Sequence, residues 1–162
     1  MQENQQQRAV HIAKGEGKML WVANELMTFK VSSEDTGGMY ALTDSVVPPQ
    51  GEAPLHVHHR EDEAFWVLEG ELEILVGEDT FRASAGSFVH LPKGVRHAYK
   101  NVGMRPARFL TLIVPGGLEK LFEEVGKPAT DLSFPPPFEE EDIERLLALA
   151  PRYGAEILSP EP

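Results

Sequence analysis

The sequence predicts an all-β domain, a sandwich or barrel of short antiparallel strands, with two short helices behind it. Three observations carry that prediction. From Lys18 to Pro115, short apolar segments rich in Val, Leu, Phe and Trp are punctuated by Gly, Pro, Asn and Asp, the spacing of strands and turns. No helical period interrupts that stretch, which argues against strands and helices alternating around a parallel sheet. After Pro115 the apolar spacing changes from two to three and four.

Residues 1–17 read as a loose leader, because Gln and Asn dominate it and Gly15 and Gly17 close it. The strand segments then run MLWV, LMTFKV, MYALTDSVV, LHVHH, AFWVLEG, ELEILVG, TFRAS, SFVHLP, HAYKN and ARFLTLIV. Behind Pro115, Leu118, Leu121, Phe122 and Val125 form one helical stripe, with Gly126 where a C-cap would sit. Ile143, Leu146, Leu147 and Ala150 form a second, behind the acidic opening Glu139 to Asp142, which suits the positive end of a helix dipole. The proline-rich link Phe134 to Pro137 joins the two. The expected organisation is a leader at 1–17, a β-domain at 18–115 and a helical extension at 116–162 that covers one sheet or one mouth of the barrel.

A chain of 162 residues is long enough to bury a real core without covalent staples. It has no cysteine, which excludes disulfides and thiolate metal sites. A formal charge of -11 opposes nucleic-acid binding, since no basic stripe is present to displace counterions from phosphates. The polar N-terminus lacks the apolar stretch of a signal peptide, and no window is apolar enough to cross a bilayer. A soluble, cytoplasmic protein with a small-molecule substrate is expected.

The middle of the chain concentrates metal-binding chemistry. In PLHVHHREDEAFWVLEG, His56 and His58 alternate onto one face of a strand, and His59 points the other way. Glu63 follows after Arg60 to Asp62, a stretch able to turn and reset the register. The run GSFVHLPKGVRHAYKN adds His97. Two imidazoles and a carboxylate form a facial set with open coordination positions, and a third imidazole still leaves room on an octahedral metal. One divalent Fe, Ni, Mn, Co, Cu or Zn per chain suits such donors. In the second run, Gly86 and Gly94 mark turns, Pro92 ends a strand, and Asn101 reads as a residue that satisfies backbone groups.

These two runs resemble the two signature motifs of the cupin superfamily. The first extends from Gly51 through His56, His58 and Glu63 to Gly70, with four residues between Gly51 and His56 where the usual pattern has five. The second matches at Gly86, Pro92, Gly94, His97 and Asn101. The resemblance implies a single-domain jelly-roll β-barrel holding a metal on His56, His58, Glu63 and His97. The stretch from Gly17 to His59 and the tail RYGAEILSP further resemble bacterial single-domain cupins related to quercetin 2,3-dioxygenase. That likeness implies oxygenolytic cleavage of a flavonol or similar chelating aromatic. Glu63 would be both ligand and general base, a role that needs a carboxylate pKa raised by a dry setting and restrained by the metal.

By strand position, Phe65, Phe81, Phe88 and Phe109 are the expected substrate-binding walls, with Val67 and Leu112 beside them. His90 is expected in the core or at an interface, and His11 needs no role. Trp21 and Trp66 are expected on an apolar outer face, which the family resemblance turns into an expected homodimer. Two other classes of function stay open: a metal-dependent isomerase, lyase or hydrolase of a small polar substrate, and a non-catalytic ligand-binding module.

Overall fold

The computed structural model describes residues 8–158. The first seven residues of the expected leader lie outside that range, and residues 8–17 form neither strand nor helix. Every apolar segment between Lys18 and Val114 becomes a strand: β1 (Lys18–Val22), β2 (Glu25–Val31), β3 (Ala41–Val47), β4 (Glu52–His58), β5 (Asp62–Glu69), β6 (Glu71–Val76), β7 (Asp79–Ser84), β8 (Phe88–Leu91), β9 (His97–Asn101) and β10 (Ala107–Val114). One four-residue helix, α1 (Ser33–Thr36), interrupts them; a capping box between Ser32 and Asp35 starts it and left-handed Gly37 ends it.

With two short strands from the C-terminal segment, β11 (Lys127–Pro128) and β12 (Ala155–Ile157), the strands form two antiparallel sheets, one of seven in the order β11-β1-β2-β3-β10-β5-β8 and one of five in the order β12-β4-β9-β6-β7. The expected barrel is therefore a jelly roll of two facing sheets and not a closed hydrogen-bonded cylinder. β5 shows how sequence makes a wall: Glu63, Phe65 and Val67 are buried while Trp66 between them is exposed. Phe65, Tyr99 and Phe109 meet between the sheets, Phe65 and Phe109 with ring centroids 4.9 Å apart. Val47, Val67, Leu72, Ile74 and Leu91 complete that core.

The two predicted helices are present as α2 (Glu119–Val125) and α3 (Glu140–Leu149). Gly126 caps α2 with extended backbone and not in the left-handed form; a Cβ there would lie 2.7 Å from the Phe122 carbonyl oxygen. A reciprocal box between Glu139 and Asp142 starts α3. Leu121 and Ala150 are buried, and Leu146 packs against them, whereas Ile143 and Leu147 of the expected stripe face outward. The segment after Val114 does more than cover the sheets. Its short strands β11 (Lys127–Pro128) and β12 (Ala155–Ile157) pair with β1 and β4, one in each sheet.

The β5–β6 turn supplies a stability test. Gly70 has φ +77, and a Cβ there would lie 2.8 Å from the Ala107 Cα and 2.9 Å from the Pro106 carbonyl oxygen. A left-handed non-glycine residue costs roughly 1–2 kcal/mol, and backbone atoms cannot move aside as a side-chain tip could. Gly70→Ala is expected to lower stability by more than about 2 kcal/mol, read as a drop in the urea midpoint with unchanged slope.

Candidate metal centre

The four predicted ligands come together although they arrive from both sheets. His56 and His58 sit on β4 and His97 on β9, in the five-stranded sheet; Glu63 faces them from β5 of the other. The donor atoms of His56, His58, Glu63 and His97 all lie within 4.8 Å of one another. The His59–Glu61 connection carries the chain from one sheet to the other, so Glu63 closes the site from the opposite wall.

A local irregularity aims the first histidine. In the β4–β9 ladder Ala53 pairs with Tyr99 and His56 with His97, so β4 carries one extra residue across Pro54 and Leu55. A bulge of this kind changes which face the following side chains take. Pro54 suits it because it has no N–H to lose from the ladder. Its carbonyl accepts a hydrogen bond from His56 Nδ1 at 2.6 Å. A carbonyl cannot donate, so Nδ1 carries the hydrogen and the Nε2 lone pair is free for a metal. The same logic applies to His97, whose Nδ1 lies 3.3 Å from the Val95 carbonyl.

The remaining atoms fit a cation. His97 Nε2 is buried 3.1 Å from Glu63 Oε2 and makes no well-formed hydrogen bond, and His58 Nε2 is 3.2 Å from the same oxygen. Donors bound at about 2.1 Å can stand up to about 4.2 Å apart, so the cluster needs only a small contraction. Three nitrogens and one oxygen suit a transition metal better than calcium or magnesium. His59 is exposed and paired with Glu156 at 3.1 Å, so it takes no part.

Charge distribution agrees with this assignment. Burial, with His97 and His58 beside it, pushes the His56 pKa down to about 3, so this imidazole stays neutral and ready to coordinate. Burial alone would lower His58 as well, but the facing Glu63 carboxylate prevails and raises it. Burial would raise Glu63, yet His58 and His97 outweigh it and hold the carboxyl well below its ordinary value. The raised general base expected of Glu63 is thus corrected for the metal-free protein: the facing imidazoles reverse the effect of the dry setting. His58 contributes stability below its unfolded value of 6.5 and loses it as pH rises through the raised folded value. Glu63 contributes above 4.5 and loses it as pH falls through the depressed one. The metal-free pair is therefore fully formed between those limits. Because a metal must displace the proton on His58, its affinity is expected to rise by about tenfold per pH unit and to level off once that pKa is passed. Chelator competition across a pH series checks this.

The cluster opens into a cavity of about 130 Å³ between the sheets, beneath Leu121, Phe122 and Leu146 of the two helices. Phe65 and Phe109 line it as expected. Phe81 and Phe88 do not. Phe88 stands opposite Trp66 on the outer face, where it is 62% exposed; the inward residues of β8 are Val89 and Leu91. Phe81 shares a face with its partner Ile74 but overhangs the edge of the sheet on β7. Leu112 and His90 also face outward. Trp21 is buried, its indole N–H donating to the Asp131 carbonyl at 2.7 Å, so Trp66 keeps the outer face without it. Asn101 binds backbone groups of Val47, Gly103 and Arg105, as its place in the sequence suggests.

Sequence reasoning missed several polar groups. Glu61 is buried beside the ligands, and its Oε2 and the His58 Nδ1 both lack a hydrogen-bond partner. Glu25 lines the cavity and accepts hydrogen bonds from the hydroxyls of Tyr99 and Ser45. Burial pushes its carboxyl up, against those two bonds, which pull it down. The inward parity of Tyr99 with His97 was the one available signal; nothing in the sequence links Glu25 to β9.

The fold and site define a class: double-sheet jelly rolls that enclose a three-imidazole, one-carboxylate group able to hold a metal. Comparison with known proteins gives that class its name. Residues 44–113 match the family model described as a cupin domain, a match that supports a member of the cupin superfamily. Quercetin 2,3-dioxygenase of Bacillus subtilis (strain 168) is 26% identical over 131 residues, 80% of this chain and 38% of that protein. Quercetin 2,3-dioxygenase of Aspergillus japonicus is 28% identical over 123 residues, covering 71% of this chain and 35% of that protein. The chain thus spans under two fifths of the length of these relatives. The structure of a predicted oxalate decarboxylase from Thermotoga maritima superposes with a TM-score of 0.62 at 21% identity, over 65% of this chain and 98% of that one, a likeness of fold. Among the described residues no helix is long and apolar enough to cross a membrane.

Proposed function

We propose that the protein is a metal-dependent dioxygenase that cleaves a chelating aromatic with dioxygen, a flavonol or a smaller relative. The observation that carries this reading is the union of the His56, His58, Glu63 and His97 cluster with a cavity walled mainly by apolar residues, Phe65 and Phe109 among them, and with no Arg or Lys among the described residues of its lining. A site for a phosphorylated or strongly anionic substrate would need such cations. The similarity to two quercetin 2,3-dioxygenases supports the same choice.

A transition metal held by these four residues would supply Lewis acidity to the chelating oxygens and redox chemistry toward dioxygen. The chain does the rest. Glu63, ionised across the neutral range, is the proton acceptor, and because its pKa is held low the transfer to it requires a substrate hydroxyl already acidified by coordination. Phe65 and Phe109 stack along the ring and exclude water. At about 130 Å³ the cavity lies below the usual 300–1,000 Å³ of drug-sized sites. One ring is enclosed, and the rest of a flavonol would sit at the mouth under Phe122 and Leu146.

The test is oxygen uptake by metal-replete protein with quercetin, together with elemental analysis. One dioxygen consumed per substrate is expected; no uptake with a fully occupied site would sink the reading. The exposed outer face carrying Trp66, Phe88 and Leu112 is where the proposed homodimer would form, and Trp66→Glu should then yield a monomer on sedimentation.

A further inference from the structure

The cavity has a second polar wall that metal binding does not use. Glu25 and Thr43 both line it from the seven-stranded sheet. Glu25 is half-buried at the cavity wall, and among the described residues its carboxyl meets no cation and takes bonds from the neutral hydroxyls of Tyr99 and Ser45. Each carboxylate oxygen has two acceptor sites, so acceptor capacity is left over. Thr43 is fully buried, and among the described residues its Oγ1 has no hydrogen-bond partner. Buried polar groups without partners are uncommon because each costs about 1–3 kcal/mol.

The turn that delivers Glu25 is itself irregular. Ala23 in the β1–β2 hairpin has φ +54, a left-handed conformation usually left to glycine, and both Ala23 and Asn24 lie at the cavity. A bridge between sheets needs neither a carboxyl nor an orphaned threonine; apolar side chains of the same shape would pack there at lower cost. A ligand that carries its own hydroxyls would satisfy such groups.

We infer that Glu25 and Thr43 form a second anchor, which selects aromatic substrates bearing a hydroxyl beyond the oxygen pair that chelates the metal. This rests on the reading of the cluster as the place where a chelating aromatic is held. The substrate class becomes a polyhydroxylated ring, gripped at one edge by the metal centre and at another by the Glu25 carboxyl. Glu25 acts here by positioning the ring and takes no part in bond cleavage.

The experiment compares catechol, which has only a chelating pair, with pyrogallol and 1,2,4-benzenetriol, which add a third hydroxyl. Binding is measured calorimetrically without oxygen, on zinc-loaded protein, so that nothing turns over. Wild type is expected to bind at least one trihydroxybenzene about tenfold more tightly than catechol. In Glu25→Gln and in the near-isosteric Thr43→Val that preference should shrink to about twofold or less, with catechol affinity unchanged. Tyr99→Phe, which removes only the bond to Glu25, separates a structural bridge from an anchor: it should lower the melting temperature and keep most of the preference. No preference in wild type, a preference that survives in both variants, or no binding of any of the three probes would overturn the inference. Oxygen uptake with quercetin distinguishes the two failures. Uptake without hydroxyl preference removes the anchor alone, and preference without uptake removes the dioxygenase reading alone.

Discussion

His58→Ala protein is expected to lose its metal on purification, with affinity reduced by at least about a hundredfold. Removing a group that merely orients a ligand typically costs 10–100-fold, and His58 is a buried member of the candidate ligand group itself. It is also the imidazole that carries the proton shared with Glu63 in the metal-free protein. Its loss therefore leaves a buried carboxylate facing two imidazoles with no cation. Glu63→Ala should release the metal as well, while His59→Ala, one residue away and exposed on the other face, should change nothing. Elemental analysis and chelator competition measure all three. Metal retained at wild-type affinity in both ligand variants would dismantle the four-residue site.

Phe109→Ala carries the largest expected cost in stability. Phe109 is 1% exposed and packs against both Phe65 and Tyr99, with ring centroids at 4.9 and 5.3 Å. Truncating such a ring typically costs about 3–5 kcal/mol, from lost burial plus the cavity left behind. The strands around it are hydrogen-bonded on both sides and cannot collapse into the space. A urea titration reads the loss directly. The same substitution enlarges the cavity beside the cluster, so in metal-loaded protein that still folds, the proposed binding of aromatic rings should shift toward bulkier ones. A change below about 1 kcal/mol would mean that the wall is soft and that the neighbouring rings repack.

Strand positions and the grouping of four candidate ligands were legible in the sequence for different reasons. The strands could be read because alternation is a local property: Glu63, Phe65 and Val67 inward with Trp66 outward follow from period two alone. The ligands could be read because two spaced motifs resemble a known pair. What failed were statements that depend on neighbours. Phe88 opens β8 just ahead of the inward Val89, and only its pairing with Trp66 fixes it outside. Phe81 has inward parity but no opposing sheet, since β7 is an edge strand. The bulge at Pro54 and Leu55 changes parity within β4, and no alternation count reveals it. Glu25 reaches Tyr99 across the gap between the sheets, a contact that neither strand announces.

The pairing of β12 with β4 sets an order of events in the life of the molecule. Ala155 lies opposite His58 and Ile157 opposite His56, so the strand that presents two ligands is flanked by one made about a hundred residues later. While the chain is still emerging from the ribosome, β4 has β9 on one side and an open edge on the other, which exposes unpaired backbone to other chains. Closing that edge means closing a very long loop, whose entropic cost falls due before any contact repays it. Any metal capture by His56 and His58 would therefore wait for the arrival of β12, and a cation that arrives earlier would meet only half of a rigid seat. Ribosome-bound intermediates stalled before residue 155 should accordingly hold metal poorly even though every ligand has been translated.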